Sequence, residues 1–284
     1  MKILDRPDLR KDGKKARKGV YTTGLISKFG TNRVALFITG MQHAGENLAD
    51  LLKWRATDLA KPIPPPTHAL SGIYGQMCDA LAANTCKNLD TIVAHCLAHA
   101  RRKFVEVVDR FPEECRHLLD VLKEVYTNDA ATQDQSPPER LRFHQEHSGK
   151  LMADLEQWLQ GQIRDRLVEP NSGLGKAICY MLNHWKGLTL FLREPGAPLD
   201  NNQIERGLKR AIMHRKNSLF YKTQEGARVG DLYMSLIHSA ELNGANPFEY
   251  VVALLRNHAF VEENPEEWMP WNYQETLAGI NAQG

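Results

Sequence analysis

Apolar and polar residues alternate over the first part of the chain in the way that β-strands require. Strand-forming residues fill positions 19–27 and 33–39, and a Gly-Thr-Asn turn sequence lies between them at 30–32. We therefore predict a β-hairpin here. The spacing of apolar residues then becomes helical at 44–56, and this helix is predicted to end before the prolines of 62–66, because proline cannot continue a helix.

Two short apolar stretches, 73–77 and 90–94, predict further strands, so the segment up to residue 95 alternates strand and helix as α/β proteins do. From residue 95 to about 192 the apolar period is helical and is broken only by Pro and Gly at 137–138 and 170–175. This predicts an all-α block. Its most regular apolar stripe contains Leu118, Leu119, Leu122 and Val125.

A third region follows the Pro-Gly-Ala-Pro sequence at 195–198. Asp200 is predicted to be the N-cap of a helix, with Gln203 at the capping-box position. Helical patterns recur at 229–242 and 247–257, with a glycine after the first of them. The last 25 residues or so show no clear period and are predicted to be loosely structured.

Composition narrows the class of protein. The 284 residues are 42% hydrophobic and 25% charged, as in globular proteins. No apolar run approaches the roughly 20 residues of a membrane helix, and the first residues do not have the pattern of a signal peptide. The five cysteines are scattered without a CxxC pair, which argues against a disulfide framework or a cysteine zinc site. The expected compartment is the reducing cytoplasm, with no membrane partner.

The distribution of charge says more than the net charge of +2. Basic residues cluster at 10–18, 101–103 and 206–216, whereas acidic residues concentrate elsewhere, as at 262–267. Clustered positive charge is typical of a surface that binds a polyanion. Each cluster taken alone fits an ordinary solvated surface equally well.

Two carboxylates stand out by their positions. Glu205 is the single acid in an otherwise basic helical stretch that follows Asp200. It could be a metal ligand working beside a polyanion or part of a capped, solvated helix. Asp79 follows the predicted strand at 73–77, where α/β sheets place their ligands, although an aspartate there could also be a helix N-cap.

A closely spaced pair of histidines allows more than one interpretation. His95 and His99 are four residues apart, with Cys96 between them. On one helix they would share a face, and zinc would then be conceivable, although a third ligand at suitable spacing is missing. They could instead pack against a sheet edge or a phosphate. Arg101, Arg102 and Lys103 fall on the side of this predicted helix away from its apolar stripe, where they could contact phosphate.

Several enzyme classes find no support in the motifs. The chain contains neither a GxxxxGK[ST] loop nor a GxGxxG sequence after a strand. A GxSxG elbow is also absent from the sequence. A nucleotide-binding fold of these types and a hydrolase with an activated serine or cysteine are therefore not indicated.

Five motifs in order along the chain resemble the insertion-sequence transposases of the sixty-six family, a DDE-type group. Together they extend over nearly the whole chain. They are the stretches at 77–80 (MCDA), 95–104 (HCLAHARRKF), 198–206 (PLDNNQIER), 214–220 (HRKNSLF) and 236–247 (LIHSAELNGANP).

The resemblance implies an α/β fold with a ribonuclease H-like mixed-sheet core, interrupted by an all-α insertion and followed by a helical C-terminal part. On this basis the expected divisions are 1–95 for the first part of the core, 96–195 for the insertion, 196–258 for the last catalytic helix and those after it, and 259–284 for a loose tail.

The resemblance also implies a catalytic triad of two aspartates and a glutamate. Asp79 matches the second aspartate and Glu205 the glutamate. The first aspartate would fall just before Met1, and Asp5, the nearest carboxylate in the chain, is the candidate to stand in for it as a catalytic residue. We therefore expect a copy that is truncated at its N-terminus, without the family's upstream DNA-end-binding region, and whose activity depends on that missing aspartate.

The implied reaction is cleavage and transfer of DNA strands with two Mg²⁺ or Mn²⁺ ions, for which Asp79 and Glu205 are the expected ligands. The implied partners are transposon-end and target DNA, further copies of the chain and accessory proteins encoded by the element. The alternatives are a non-catalytic DNA-binding or inhibitory fragment and a helical protein-interaction module. The expected DNA contacts are Arg206, Lys209, Arg210, Arg215, Lys216, Asn217, Arg101, Arg102 and Lys103.

Overall fold

The computed structural model describes residues 2–3, 21–58, 74–78, 80, 84, 91–218, 220–221 and 223–283. The chain divides into two compact units. One, the discontinuous unit, combines residues 1–55 with 203–284, and the other, the helical unit, contains residues 56–202. The fold is mixed α/β, with far more helix than strand among the described residues.

The described strands form three two-stranded sheets. An antiparallel hairpin pairs β2 with β3, while β4–β5 and β1–β6 are parallel pairs. The strands are β1 (Lys2–Ile3), β2 (Tyr21–Phe29), β3 (Asn32–Gly40), β4 (Tyr74–Cys78), β5 (Thr91–His95) and β6 (Phe220–Tyr221).

Twelve labelled α-helices account for most of the rest of the described chain. None of the described helices is both long and apolar enough to span a membrane. The helices are α1 (Ala44–Asp58), α2 (Leu97–Val105), α3 (Pro112–Ala130), α4 (Pro137–His147), α5 (Gly149–Arg164), α6 (Gly173–Asn183), α7 (Trp185–Leu188), α8 (Asn202–Ser218), α9 (Gln224–Leu242), α10 (Pro247–Arg256), α11 (His258–Glu263) and α12 (Tyr273–Gln283).

The hairpin forms where the alternating pattern predicted it. Its two-residue turn places Gly30 at φ +60°, a conformation that glycine adopts without the steric cost of a Cβ. Ala35, Phe37 and Thr39 are buried on β3 and alternate with less buried neighbours. Helix α1 is tied to the hairpin by Asn47, whose amide donates to the Thr23 hydroxyl over 2.9 Å.

Helix α9 lies along the outer edge of β3 and satisfies that edge with side chains. Asp231, Ser235, Ser239 and Asn243 accept hydrogen bonds from the backbone N–H groups of Thr39, Phe37, Ala35 and Arg33, at 2.5, 2.9, 2.9 and 3.1 Å respectively. The acceptors are four residues apart on the helix, a rise of about 6.0 Å, and the donors are two residues apart on the strand, a rise of about 6.8 Å. The two distances are close enough for each acceptor to reach its own donor along the strand.

The helical unit has its own apolar core. The stripe predicted on α3 is confirmed at three of its four positions, because Leu118, Leu122 and Val125 are fully buried. Leu119 is only partly buried and packs against the same core. The three buried residues pack with the buried faces of α2, α5 and α6, of which Phe104, Met152 and Ile178 are examples. This agrees with the all-α block predicted from the helical period.

The prediction of a loose tail at 259–284 is wrong. The segment contains α11, a short 3₁₀ turn at Pro265–Trp268 and α12. Trp268 is only 2% exposed and packs in a second core with Tyr250 and Tyr273, while the Tyr250 hydroxyl donates to the Trp268 carbonyl over 2.9 Å. Burial of these aromatic residues orders the segment although its local period is weak.

Candidate active site

Glu205 lies in the first turn of α8 and is the single acid of that helix. Its side chain is half-buried. The positive end of a helix favours a carboxylate in its first turn, so the position suits a charged acid. The helix brings this carboxylate and the basic residues that follow it onto one rigid element.

Asp200 was predicted to be the N-cap of α8, but the helix begins at Asn202, so Asp200 lies one residue before the N-cap position. Its side chain nevertheless bonds to the first turn. Its carboxylate accepts the backbone N–H of Asn202 at 3.0 Å and the side-chain amide of Asn202 at 2.6 Å. The first of these bonds satisfies one of the backbone donors that a helix N-terminus leaves unpaired. The Gln203 side chain, the other half of the predicted capping box, lies outside the described residues.

The residues that precede α8 belong to the helical unit and form hydrogen bonds within it. The Leu97 N–H donates to the Leu199 carbonyl at 2.9 Å, and the Tyr126 hydroxyl donates to Asp200 at 3.0 Å. Burial raises the pKa of Tyr126 strongly, and the neighbouring Asp200 charge raises it further, so this phenol remains a hydrogen-bond donor at neutral pH. Tyr126 was not among the residues predicted from the sequence, although a tyrosine beside an apolar stripe usually needs a partner for its hydroxyl.

The predicted position of the second aspartate is at the end of β4. This strand stops at Cys78, directly before Asp79, and its last residue pairs with His95 at the end of the parallel strand β5. Ala80 has φ +62°, a left-handed conformation uncommon for residues other than glycine. Asp79 itself and Asp5 lie outside the described residues.

The predicted placement of His95 and His99 on one helix face is wrong. His95 is the last residue of β5, Cys96 is the N-cap of α2, and only His99 is helical. A four-residue spacing looks helical in sequence, but here pairing with β4 keeps His95 extended. The shared face on which the zinc alternative depended is therefore absent.

Cys96 packs inside the helical unit and is only 1% exposed. Burial raises the pKa of its thiol, and the backbone N–H groups of Asn201, His99 and Ala98 act in the opposite direction. A thiol with a raised pKa stays protonated at neutral pH and is a weak nucleophile. This fits the absence of any motif for a cysteine hydrolase.

The predicted DNA-contacting residues fall into three groups. Arg206 and Lys209 are exposed and, being three residues apart on α8, share a face. Arg101 and Arg102 are exposed on α2, whereas the Lys103 ammonium lies 4.3 Å from the centre of the Tyr180 ring. The side chains of the remaining predicted contacts lie outside the described part of α8: Arg210, Arg215, Lys216 and Asn217.

The amino-acid sequence matches a known class of mobile-element proteins. The model of the transposase IS66 family matches residues 65–229, more than half of the chain and a range that includes Asp79 and Glu205. The chain belongs to the IS66 family of transposases. This confirms the resemblance drawn from the five motifs.

Two relatives from Sinorhizobium fredii (strain NBRC 101917 / NGR234) illustrate the similarity. The uncharacterized protein y4jD is 34% identical over 191 residues, which are 66% of this chain and 37% of y4jD. The uncharacterized protein y4hP is 28% identical over 218 residues, 70% of this chain and 38% of y4hP. The chain thus spans less than two-fifths of the length of these relatives. No solved structure matches the chain.

Proposed function

We propose that this chain contributes the catalytic region of a DDE-type transposase, which cuts DNA strands at the ends of an insertion sequence and joins them to target DNA. The observation that carries the proposal is the family match over residues 65–229. That range contains Asp79, the half-buried Glu205 and the exposed Arg206 and Lys209.

A ribonuclease H-like core is part of the proposal. Three features support it: the antiparallel β2–β3 hairpin, the parallel β4–β5 pair, and the block of helices between β5 and α8. In this scheme residues 1–95 begin the core, 96–195 are the insertion, and 196–258 hold the last catalytic helix and its successors.

The proposed metal ligands have suitable chemistry. Glu205 and Asp79 are carboxylates, the oxygen donors that Mg²⁺ and Mn²⁺ prefer. Glu205 is half-buried on a regular helix, so ordering it around an ion costs less entropy than ordering an exposed loop residue. Bound divalent ions would activate the attacking hydroxyl and stabilise the leaving oxygen of a phosphodiester.

The chain's own residues orient the DNA. Arg206 and Lys209 present positive charge on the helix that carries Glu205, and phosphate contacts of this kind fix a strand in register. In the first step the oxygen of water bonds to phosphorus and the bond to the 3′ oxygen breaks. The released 3′-hydroxyl then attacks a target phosphodiester, which exchanges one phosphorus–oxygen bond for another.

The proposal can be tested with Glu205→Gln, which removes the charge while keeping the size of the side chain. In the protein encoded by the complete reading frame, Mn²⁺-dependent nicking of element-end DNA should fall by about a hundredfold or more, because an amide is a much weaker ligand than a carboxylate. Glu225→Gln is the matched control, since Glu225 is an exposed acid in the first turn of α9.

Nicking should be unchanged in the control, and DNA affinity should be retained in both variants. Equal nicking by wild type and Glu205→Gln would remove Glu205 from the proposed site. If the wild-type protein binds element-end DNA but never nicks it with Mg²⁺ or Mn²⁺, the catalytic proposal itself fails.

That last outcome would favour a second candidate function, a non-catalytic DNA-binding or inhibitory protein. Exposed basic residues on α8 and α2 support it, since they need no metal to hold a phosphate backbone. Such a protein would inhibit transposition by occupying element ends, and addition of divalent ions would cause no cleavage.

A further inference from the structure

An interior glycine of α8 marks a close contact beside Glu205. Gly207 is buried and follows Glu205 by two residues. Glycine within a helix is less stable than alanine by about 0.5–1 kcal/mol. Its presence here has a steric reason: a Cβ at Gly207 would lie 2.7 Å from Nε2 and 3.0 Å from Cδ2 of His238.

His238 is well placed to act as a rigid support. It lies on α9, is 8% exposed, and its ring centre lies 6.0 Å from that of Phe37 on β3. Its Nδ1 is 3.3 Å from a carboxylate oxygen of Glu241. Since a carboxylate oxygen only accepts, the Nδ1 N–H is the donor in this contact.

The second ring nitrogen of His238, Nε2, is in an environment that is unusual for a buried polar atom. Among the described residues, His238 Nε2 is buried without a hydrogen-bond partner, a situation that is rare in folded proteins. It lies beside the position that a Cβ of Gly207 would take, so this edge of the ring packs against the glycine of α8. A larger residue at either position would separate α8 from α9.

A second close contact supports the same position of α8. Leu208 packs on Gly24 of β2, where a Cβ would lie 3.0 Å from the Leu208 Cδ2 atom. The hairpin is in turn joined to α9 by the hydrogen bonds along β3. Gly207 and Leu208 thus rest on a surface made of two elements that are bonded to each other.

We propose that His238 is a positioning residue for α8: its imidazole, packed against Gly207, fixes the rotation of the helix and thereby the direction of the Glu205 carboxylate. The consequence for catalysis rests on the function proposed above. The contact itself belongs to the fold of the discontinuous unit and can be tested without any activity.

The test combines Gly207→Ala, His238→Ala and the double variant. Gly207→Ala should push α8 away, so hydrogen exchange of the amides of α8 should become faster. The double variant should restore protection, because removal of the ring makes room for the new methyl group. Gly279→Ala in α12 is the matched control, since a Cβ there meets nothing within 4 Å.

In the nicking assay, Gly207→Ala should lower kcat by about tenfold to a hundredfold, the usual effect of misplacing a catalytic group. The Kd for DNA should change by less than about twofold, because the exposed basic residues remain on the same helix. His238→Gln, which keeps a neutral polar side chain of similar reach, should retain more kcat than His238→Ala.

Each arm has an outcome that overturns the inference. If Gly207→Ala leaves the hydrogen exchange of the α8 amides unchanged, the contact does not fix the position of the helix. The same conclusion follows if the amides of the double variant are no better protected than those of Gly207→Ala. If exchange responds as expected in a protein that never nicks DNA, the positioning of α8 stands and the proposed function fails. If exchange responds but kcat does not, Glu205 is not positioned through His238.

Discussion

At the scale of single residues, the helical unit buries a polar chain that includes a serine, a histidine and an aspartate. His144 Nε2 lies 3.1 Å from Asp129 Oδ1, and its Nδ1 lies 3.1 Å from the Ser148 hydroxyl. Arg140 also donates to Asp129. Because His144 is 1% exposed and Ser148 is fully buried, no substrate can reach this serine, and the network joins α3, α4 and α5 instead of performing catalysis.

Asp129 gives this network a pH dependence. Burial alone would raise the pKa of Asp129, but hydrogen bonds from His144 and Arg140 and the Arg140 charge together lower it below its ordinary value. A carboxyl whose pKa is lower in the folded state contributes stability that is present above the unfolded-state pKa and lost as pH falls through the folded-state pKa.

Asp129→Asn should therefore destabilise the helical unit at pH 7 by about 1–3 kcal/mol, since a charged acceptor for two donors is lost. The difference from wild type should shrink as pH falls below about 4. Urea unfolding followed by circular dichroism at several pH values measures this. A difference that does not depend on pH would mean that the Asp129 charge contributes nothing.

At the scale of secondary-structure elements, the hydrogen bonds between α9 and β3 satisfy backbone N–H groups that the edge of a sheet leaves unpaired. Unpaired N–H groups on an edge strand invite pairing with another chain. Here aspartate and serine side chains on α9 and the asparagine at its C-cap, spaced four residues apart, satisfy them. The helix therefore protects the hairpin edge while supporting α8 through His238.

Asp231 allows a sharp test of this arrangement. It accepts from both the N–H and the hydroxyl of Thr39. Burial raises the pKa of Asp231, against the lowering effect of these two bonds. Because its pKa is higher in the folded state, its contribution to stability is full below the unfolded-state pKa and is lost as pH rises through the folded-state pKa.

We expect Asp231→Ala to destabilise the protein by about 1–3 kcal/mol, because the Thr39 N–H is left buried and unpaired. Asp231→Asn is the matched variant. Its carbonyl can accept the Thr39 N–H and its amide can donate to the Thr39 hydroxyl, which can then donate to Thr22, 3.0 Å away.

The asparagine variant should match or exceed wild-type stability at pH 7 and should lose the pH dependence that Asp231 causes. Chemical unfolding at several pH values, from below about 4 up to neutral pH, measures both properties. Equal stability of the alanine and asparagine variants would show that the bonds to Thr39 do not hold the edge of β3.

At the scale of the whole molecule, near-neutral net charge hides local concentrations of positive charge. The chain has 36 basic and 34 acidic residues, yet Arg206 and Lys209 share a face of α8, and Arg101 and Arg102 are exposed on α2. DNA affinity, if these residues contact phosphates, should depend on salt through counterion release.

For duplex DNA, the Arg206→Ala/Lys209→Ala variant should reduce the slope of log affinity against log salt concentration by about 1–2, because roughly 0.9 is lost per phosphate contact. Lys123→Ala is the matched control, since Lys123 is exposed on α3 outside the predicted DNA contacts. Fluorescence anisotropy at several salt concentrations measures the slope. An unchanged slope in the double variant would exclude this face of α8 from the DNA interface.

Local pattern was enough to predict much of the fold. The hairpin, the buried face of α3 and the helix start near Asp200 all follow from interactions between residues close in the chain, which the order of amino acids reveals directly. Glu205 became a candidate ligand in the same way, as a lone acid in a basic helix. His95 could not be assigned correctly, because its extended conformation depends on pairing with a strand elsewhere in the chain.

Sequence alone was therefore sufficient for the family and for most of the elements before residue 259. It also supplied the candidate ligands. The three-dimensional arrangement was needed to find the partners that lie far apart in the chain: the bonds from β3 to α9 join residues 192 to 210 positions apart, and Gly207 meets His238. The reason is physical. A helical or strand period is imposed by neighbours in the chain, whereas the group that satisfies a buried N–H, or fills the space beside a glycine, is chosen by how the elements pack.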